Sequence, residues 1–394
     1  MKKLMILGAG IYQVPLIKKA KEMGLWTITA SIPGDYPGFK FADEVVYINT
    51  TDKDSICKIC KEKNIDGIVV SGTDVAVPTQ GWCCDELKLK GPSYESAILA
   101  QNKYKMKMAF EKFGVRTADV RYVKIDCSYP LEICESIGFP VIFKSIDSSG
   151  SRGITKCSSP EEIEYAYNQV KNNTRSDIYI IEKFLDGTEF GAQSFIYDGK
   201  VKFFLPHGDY VFHGDTGVPV GHFAPFEIQD SIINDAEQQL TKAISAMKLN
   251  NCAINADFIL CDNKVYVLEI GARAGATCLA EMVGLFYGFD YYEKIIQAAL
   301  GIEPDFTPKN EKRQPNAEML FISEKAGIIK DITNYAIKDE RIIDISFDYS
   351  IGDKVRAFNK GPDRIGQVIV VGETVEEAKS IIDDILSQNL IKID

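Results

Sequence analysis

Ile254-Asn255-Ala256-Asp257-Phe258, followed by Val265-Tyr266-Val267-Leu268-Glu269-Ile270-Gly271-Ala272-Arg273, is the stretch on which the fold turns. Two apolar strands are each interrupted by one carboxylate, with the short polar turn Cys261-Asp262-Asn263 between them. An antiparallel hairpin with this turn lets Asp257 and Glu269 face each other. An unpaired charge in an apolar strand is costly, and facing carboxylates repel unless a cation sits between them. Mg2+ shared with nucleotide phosphates resolves both problems, and Arg273 is placed to meet the same phosphates. The competing reading is a carboxylate paired with an arginine across a hairpin. The hairpin alone does not decide between them.

Upstream, Phe143-Lys144 ends a strand and runs into Asp147-Ser148-Ser149-Gly150-Ser151-Arg152-Gly153. Small residues let backbone N–H groups approach phosphates closely, and a lysine just before such a loop adds a point charge. No G-x-x-x-x-G-K-[ST] loop occurs in the chain. Next comes Ile181-Glu182-Lys183-Phe184-Leu185-Asp186-Gly187-Thr188-Glu189, an apolar strand running into an acidic turn. Around these, helices are expected over 95–113, 131–137, 161–170 (capped by Ser158 or Ser159), 232–247 and most of 279–300. Hairpins are expected turning at Asp198-Gly199 and at 261–263.

In this order the elements resemble the ATP-grasp superfamily, closely over 94–300, with flanking segments that fit its other domains. The resemblance implies an α/β ATP-grasp fold and assigns roles by position. Lys103, in Gln101-Asn102-Lys103, and Lys144 resemble the two nucleotide-binding lysines, Lys144 contacting the α-phosphate and adenine. Residues 149–153, with Ser149, Gly150, Ser151, Arg152 and Gly153, resemble the loop that closes over the β- and γ-phosphates. Glu182, Lys183 and Leu185 resemble the hinge that reads adenine, much of it by backbone groups, and Glu189 the ribose-binding carboxylate. Asp257 and Glu269 resemble the Mg2+ ligands (Mn2+ substituting), and Arg273 the arginine that stabilises the transferring phosphoryl group. Many members carry Asn two residues after the glutamate, where this chain has Gly271. The run 268–275 and the segment Asp363-Arg364-Ile365-Gly366-Gln367 resemble the L-amino acid ligase branch.

The first segment, 1–93, alternates strands and helices as a parallel α/β unit does. Its Gly8-Ala9-Gly10 follows a strand, but the third glycine of a dinucleotide fingerprint is replaced by Gln13, and no acidic residue ends the second strand, so NAD is weakly supported. At the tip of a later strand, Ser71, Thr73 and Asp74 could touch substrate, although a helix cap is the favoured reading for Asp74. The ATP-grasp unit is expected over 94–305, with a lid over about 118–187, and a small α+β unit over 306–394. All three histidines, His207, His213 and His222, fall in a segment with Gly208, Gly214, Gly217 and Gly221. That segment reads as a mobile loop, its histidines touching substrate or merely forming the loop, and not as a zinc site.

The chain has 394 residues and a formal net charge of -11, which argues against a nucleic-acid binder. The apolar start breaks at Gly8, too short for a signal peptide, and no run reaches a membrane span, so a cytoplasmic protein is expected. The ten cysteines, including Cys57-x-x-Cys60, read as reduced, buried small hydrophobes. The expected function is an ATP-dependent carboxylate–amine ligase acting through an acyl phosphate and releasing ADP and phosphate. Its substrates would be a small-molecule carboxylate and an amine, with amino acids as the leading class and a homodimer compatible with the chain. The alternative is a purine-biosynthesis ATP-grasp enzyme using formate or bicarbonate. That option is lowered by the absence of arginine from the first ninety residues, since a sugar phosphate wants bidentate grips. An NAD-binding oxidoreductase and an inactive nucleotide-binding module are the rivals of another class.

Overall fold

The computed structural model describes residues 1–147, 153–213, 217–309, 312–333 and 339–394, and the side chain of His213 is not described. The first segment forms a four-stranded parallel sheet in which Lys3–Leu7 lies between Trp26–Ser31 and Gly67–Val69, with Glu44–Tyr47 at the edge. The central strand is a continuous apolar run from Leu4 to Leu7 and is buried throughout, as in a parallel sheet covered on both faces. Gly8, at φ +106°, makes the turn into the first helix. The Gln13 side chain fills the space beneath: Gly10 N–H donates to its Oε1 at 2.9 Å, and its Nε2 donates to the Ser71 carbonyl at 2.6 Å. A side chain thus occupies the ground that a third glycine would leave open.

A separate four-stranded antiparallel sheet, in the order Val120–Lys124, Ile178–Lys183, Val141–Ser145, Ile154–Cys157, lies within the segment expected as a lid. The largest sheet has eight strands, in the order Lys264–Gly271, Cys252–Cys261, Thr188–Tyr197, Lys200–His213, Gly217–Ala224, Asn316–Phe321, Gly366–Val371, Ile342–Phe347. The last three strands come from the expected C-terminal unit. That unit therefore continues the central sheet, joined where Gly217–Ala224 pairs with Asn316–Phe321.

Several local expectations are corrected. The helix over 95–113 is two, Tyr94–Gln101 and Lys103–Phe113. Asn102 breaks it by adopting an extended backbone and accepting the Lys105 N–H on its side chain, as a helix N-cap does. The segment 279–300 likewise splits into Leu279–Tyr287 and Tyr291–Ala299, with Gly288 left-handed and Asp290 capping the second helix. The turn at 261–263 is two residues, Asp262 and Asn263, both at positive φ, the conformation that matches strand twist. Neither Ser158 nor Ser159 caps the helix Ile163–Asn173 through its side chain; a 3-10 turn, Pro160–Glu162, intervenes.

The histidine segment is no loop. It forms the strands Lys200–His213 and Gly217–Ala224, and His207 and His222 are buried. Its glycines serve close packing: a Cβ on Gly208 would lie 2.0 Å from the Phe223 ring, and one on Gly221 2.5 Å from the Glu318 carbonyl oxygen. Gly214 lies outside the described residues.

Candidate active site

The hairpin Cys252–Cys261 and Lys264–Gly271 places Asp257 directly opposite Glu269. Glu269 Oε1 receives the Lys103 ammonium at 2.8 Å. Lys103 opens its helix just after the break at Asn102, which aims the first lysine into the cleft. Asp257 has an exposed edge and no ion-pair partner among the described residues. Burial on its other sides, then Glu269 and Asp209, push its carboxyl up to about 7. A carboxylate destabilised in this way fits a divalent cation held jointly with Glu269.

Arg273 sits beside the pair, its Nη2 donating to Asp74 Oδ2 at 2.8 Å. Burial disfavours the guanidinium charge, but Asp74 outweighs burial and holds it firmly protonated. The helix Val77–Leu87 has no side-chain cap, so Asp74 is an arginine anchor and not the favoured helix cap. Its strand tip docks on the run after the hairpin, with Ser71 bridged to Ala274 and the Gly72 N–H bonded to the Ala274 carbonyl. This contact also accounts for Gly271. A Cβ there would lie 3.0 Å from Asp74 Oδ1, so Asp74 leaves little room for a longer side chain.

At the lid end, Glu182 is fully buried between two lysines, with Lys107 Nζ at 3.0 Å and Lys144 Nζ at 2.5 Å. Burial raises its carboxyl, but the two ammonium groups outweigh it and bring the value down to about 2. The Glu182 side chain therefore holds Lys144 in place. Lys183 donates from Nζ to the Gly138 carbonyl at 2.6 Å, so its side chain ties the lid together. Leu185 is half-buried, and Glu189 is exposed on the strand Thr188–Tyr197. Gly153 stands at positive φ, and its carbonyl accepts the Ser145 N–H. Ser149, Gly150, Ser151 and Arg152 lie outside the described residues.

A polar row crosses the large sheet beside the cleft. Asp257 pairs with Gly191, and Gly191 with His207. One step along, Asp209 pairs with His222 and His222 with Glu318. Residues opposite one another, or two apart on a strand, share a face, so the row runs from the candidate metal ligands into the C-terminal segment. Both imidazoles meet Asp209 Oδ1, His207 Nδ1 at 2.9 Å and His222 Nδ1 at 2.6 Å. Glu318 is 1 % exposed; burial, then Glu281, push its carboxyl well above the usual range. Beyond it, Arg364 is bound by Asp348 at 2.7 and 3.2 Å and by Gln367 at 2.7 Å.

The structure thus places Lys103 on Glu269, Glu269 opposite Asp257, and Arg273 on Asp74, while Lys144 is held by Glu182. Sequence reasoning misses Lys107, Asp209 and Glu318. Lys107 is legible, because it lies four residues after Lys103 and shares its helix face. It stands in Met106-Lys107-Met108, the setting of a biotin-carrier lysine, but its burial against Glu182 excludes that role. Asp209 and Glu318 carry no local signal, since their partners come from other strands. All ten cysteines are free. Among the described residues the one group suited to a metal by proximity alone is His207, Asp209 and His222.

Residues 137–281 match the ATP-grasp domain family, and residues 319–393 match L-amino acid ligase C-terminal domain 2. A formate-dependent phosphoribosylglycinamide formyltransferase of Prochlorococcus marinus subsp. pastoris is 27 % identical over 332 residues, 82 % of each chain. The crystal structure of phosphoribosylglycinamide synthetase from Anaerococcus prevotii is 38 % identical, with a TM-score of 0.86, covering 100 % of this chain and 99 % of that one. An L-amino acid ligase from Bacillus licheniformis shares the fold at 17 % identity, with a TM-score of 0.82 over 100 % of this chain and 98 % of that one.

Proposed function

This chain belongs to the ATP-grasp family of ATP- and Mg2+-dependent ligases, and on that premise we propose that it activates a carboxylate as an acyl phosphate and couples it to an amine. The observation that carries the proposal is the convergence on one cleft of Asp257 opposite Glu269, Arg273 held by Asp74, and Lys144 held by Glu182. Asp257 and Glu269 would hold Mg2+, which would supply charge neutralisation at the transferring phosphoryl group. Lys144 and Lys103 orient the nucleotide. Arg273 meets the charge that develops as the carboxylate attacks, its side chain fixed beforehand by Asp74. The amine then displaces phosphate from the acyl phosphate, giving an amide. Asp257 and Glu269 as metal ligands, Glu189 at the ribose and residues 149–153 over the phosphates remain parts of this proposal.

For the substrates, the relatives favour formate or another small carboxylate with a phosphoribosyl amine over two free amino acids, so the purine-precursor reading takes precedence. One observation supports the amino acid reading. Arg364, the buried arginine at the far end of the row, is neutralised by Asp348, and Glu318 and Glu281 lie near it. Such surroundings suit an ammonium better than a phosphate dianion. The deciding experiment supplies MgATP with formate or glycine and a phosphoribosyl amine in one arm, and with a matrix of amino acid pairs in the other, reading phosphate release and product mass. Release in the first arm alone establishes the purine-precursor ligase, release in the second alone the amino acid ligase. ATP consumed to AMP and pyrophosphate overturns both.

A further inference from the structure

The His207–Asp209–His222 group has a hydrogen-bond order that can be read off its neighbours. The Gly275 N–H donates to Gln193 Oε1 at 3.1 Å, which fixes the orientation of that amide. Gln193 Nε2 therefore points outward, donating to Asn255 Oδ1 at 2.6 Å and facing His207 Nε2 at 3.4 Å. A ring nitrogen facing an N–H carries the lone pair, so His207 keeps its proton on Nδ1 and donates to Asp209. A metal at Nδ1 would have to displace that proton and turn the amide, so the cluster is set for hydrogen bonding and not for ligation. His207 reaches this position because Gly191 has no side chain: a Cβ there would lie 2.2 Å from a ring carbon.

Both imidazoles use the same carboxylate oxygen, Oδ1. Oδ2 has no hydrogen bond among the described residues, and the Asp209 side chain is 28 % exposed, whereas the two imidazoles are 2 % and 4 % exposed. Burial raises the Asp209 carboxyl, but His222 and His207 outweigh it and keep the group ionised. Behind it the buried Glu318 carboxyl lies 3.8 Å from His222 Nε2. The row thus presents a rigid anion with one free oxygen, on the face that carries Asp257, beside the place where an acyl phosphate would form.

We propose that Asp209, oriented by His207 and His222, is the seat of the amine substrate's ammonium group, its Oδ2 taking the proton that the nitrogen loses before it attacks the acyl phosphate and passing it to solvent. An ammonium donates strongly to a carboxylate oxygen, and a carboxylate already held by two N–H donors loses little freedom on binding it. The proposal rests on the reading of the second substrate as an amine, and it holds for an amino acid or a phosphoribosyl amine alike.

The test compares two nucleophiles on Asp209→Asn. Hydroxylamine is largely uncharged at neutral pH and traps an acyl phosphate as a hydroxamate without needing an ammonium seat. The carboxylate that gives most hydroxamate with the wild type is then used with its amine partner. The expected result is that D209N raises the KM for the amine about ten- to a hundredfold and lowers the ratio of amide to hydroxamate by a similar factor. Should D209N fail to fold, His222→Gln, one hydrogen bond away, carries the same ratio measurement. An unchanged ratio in the folded variant overturns the seat, as does a parallel fall of both products. Stimulation of amide formation by added Zn2+ in the wild type but not in D209N would overturn it in favour of a metal site. If the wild type gives no hydroxamate with any carboxylate, the acyl-phosphate reading itself fails and the seat fails with it.

Discussion

Asp257 and Glu269 differ in circumstance although they face each other. Glu269 has the Lys103 ammonium as a partner, while Asp257 has no ion-pair partner among the described residues, only the Asn255 amide at 3.5 Å. Glu269→Gln should keep the fold and lower the rate at least about a hundredfold, measured as phosphate release per folded molecule. Melting with specific activity retained would make the pair structural. Asp257 predicts a pH dependence. Its folded value, about 7, lies above the unfolded value of about 3.9, so its ionisation costs folded-state stability as pH rises through that window, and fully so above about 7. Mg2+ requires the ionised form. The stabilisation that Mg2+ confers in a thermal shift should therefore grow from pH 5 to above 7 and then level off; a shift independent of pH would remove Asp257 from the site. Glu182 is the opposite case, a buried anion satisfied twice. Glu182→Gln leaves Lys107 and Lys144 uncompensated and should cost about 3–5 kcal/mol in urea unfolding. A neutral substitution would mean that water or relaxation replaces the carboxylate.

Elements were legible where their period was clean. The strand hairpin turning at Asp198-Gly199 and the helix Leu131–Ile137 follow directly from spacing. The failures have physical causes. Asn102 looks like an interior helix residue until its side chain is seen to cap, and that break is what presents Lys103. The histidine strands read as a loop because Gly208 and Gly221 are usually turn residues, and only the neighbouring chain reveals that they admit Phe223 and Glu318. The same logic gives a prediction at Gly191. Adding a Cβ there displaces the His207 ring, so Gly191→Ala should cost about 1–3 kcal/mol in unfolding and lower amide formation. Full stability with full activity would show that His207 can move freely.

The ordered series of motifs made the whole architecture legible, because each motif brings its own strand or loop. The row from Asp257 to Glu318 was not legible, because its register is set by pairings between strands far apart in sequence. The same pairings join the C-terminal segment to the central sheet. A chain ending at residue 305 should therefore expose Gly217–Ala224 as an unpaired edge and associate or precipitate, seen by size-exclusion chromatography. A soluble, monomeric truncation would contradict that dependence.

The central claim, carboxylate activation through an acyl phosphate, is tested most directly by isotope transfer. The carboxylate found in the substrate screen is labelled with 18O and turned over with MgATP and its amine, and the released phosphate is resolved by 31P NMR. The account predicts ADP and phosphate in equal amounts, with one 18O carried from each carboxylate into phosphate. Amide formed with unlabelled phosphate, or with AMP and pyrophosphate as products, would contradict it.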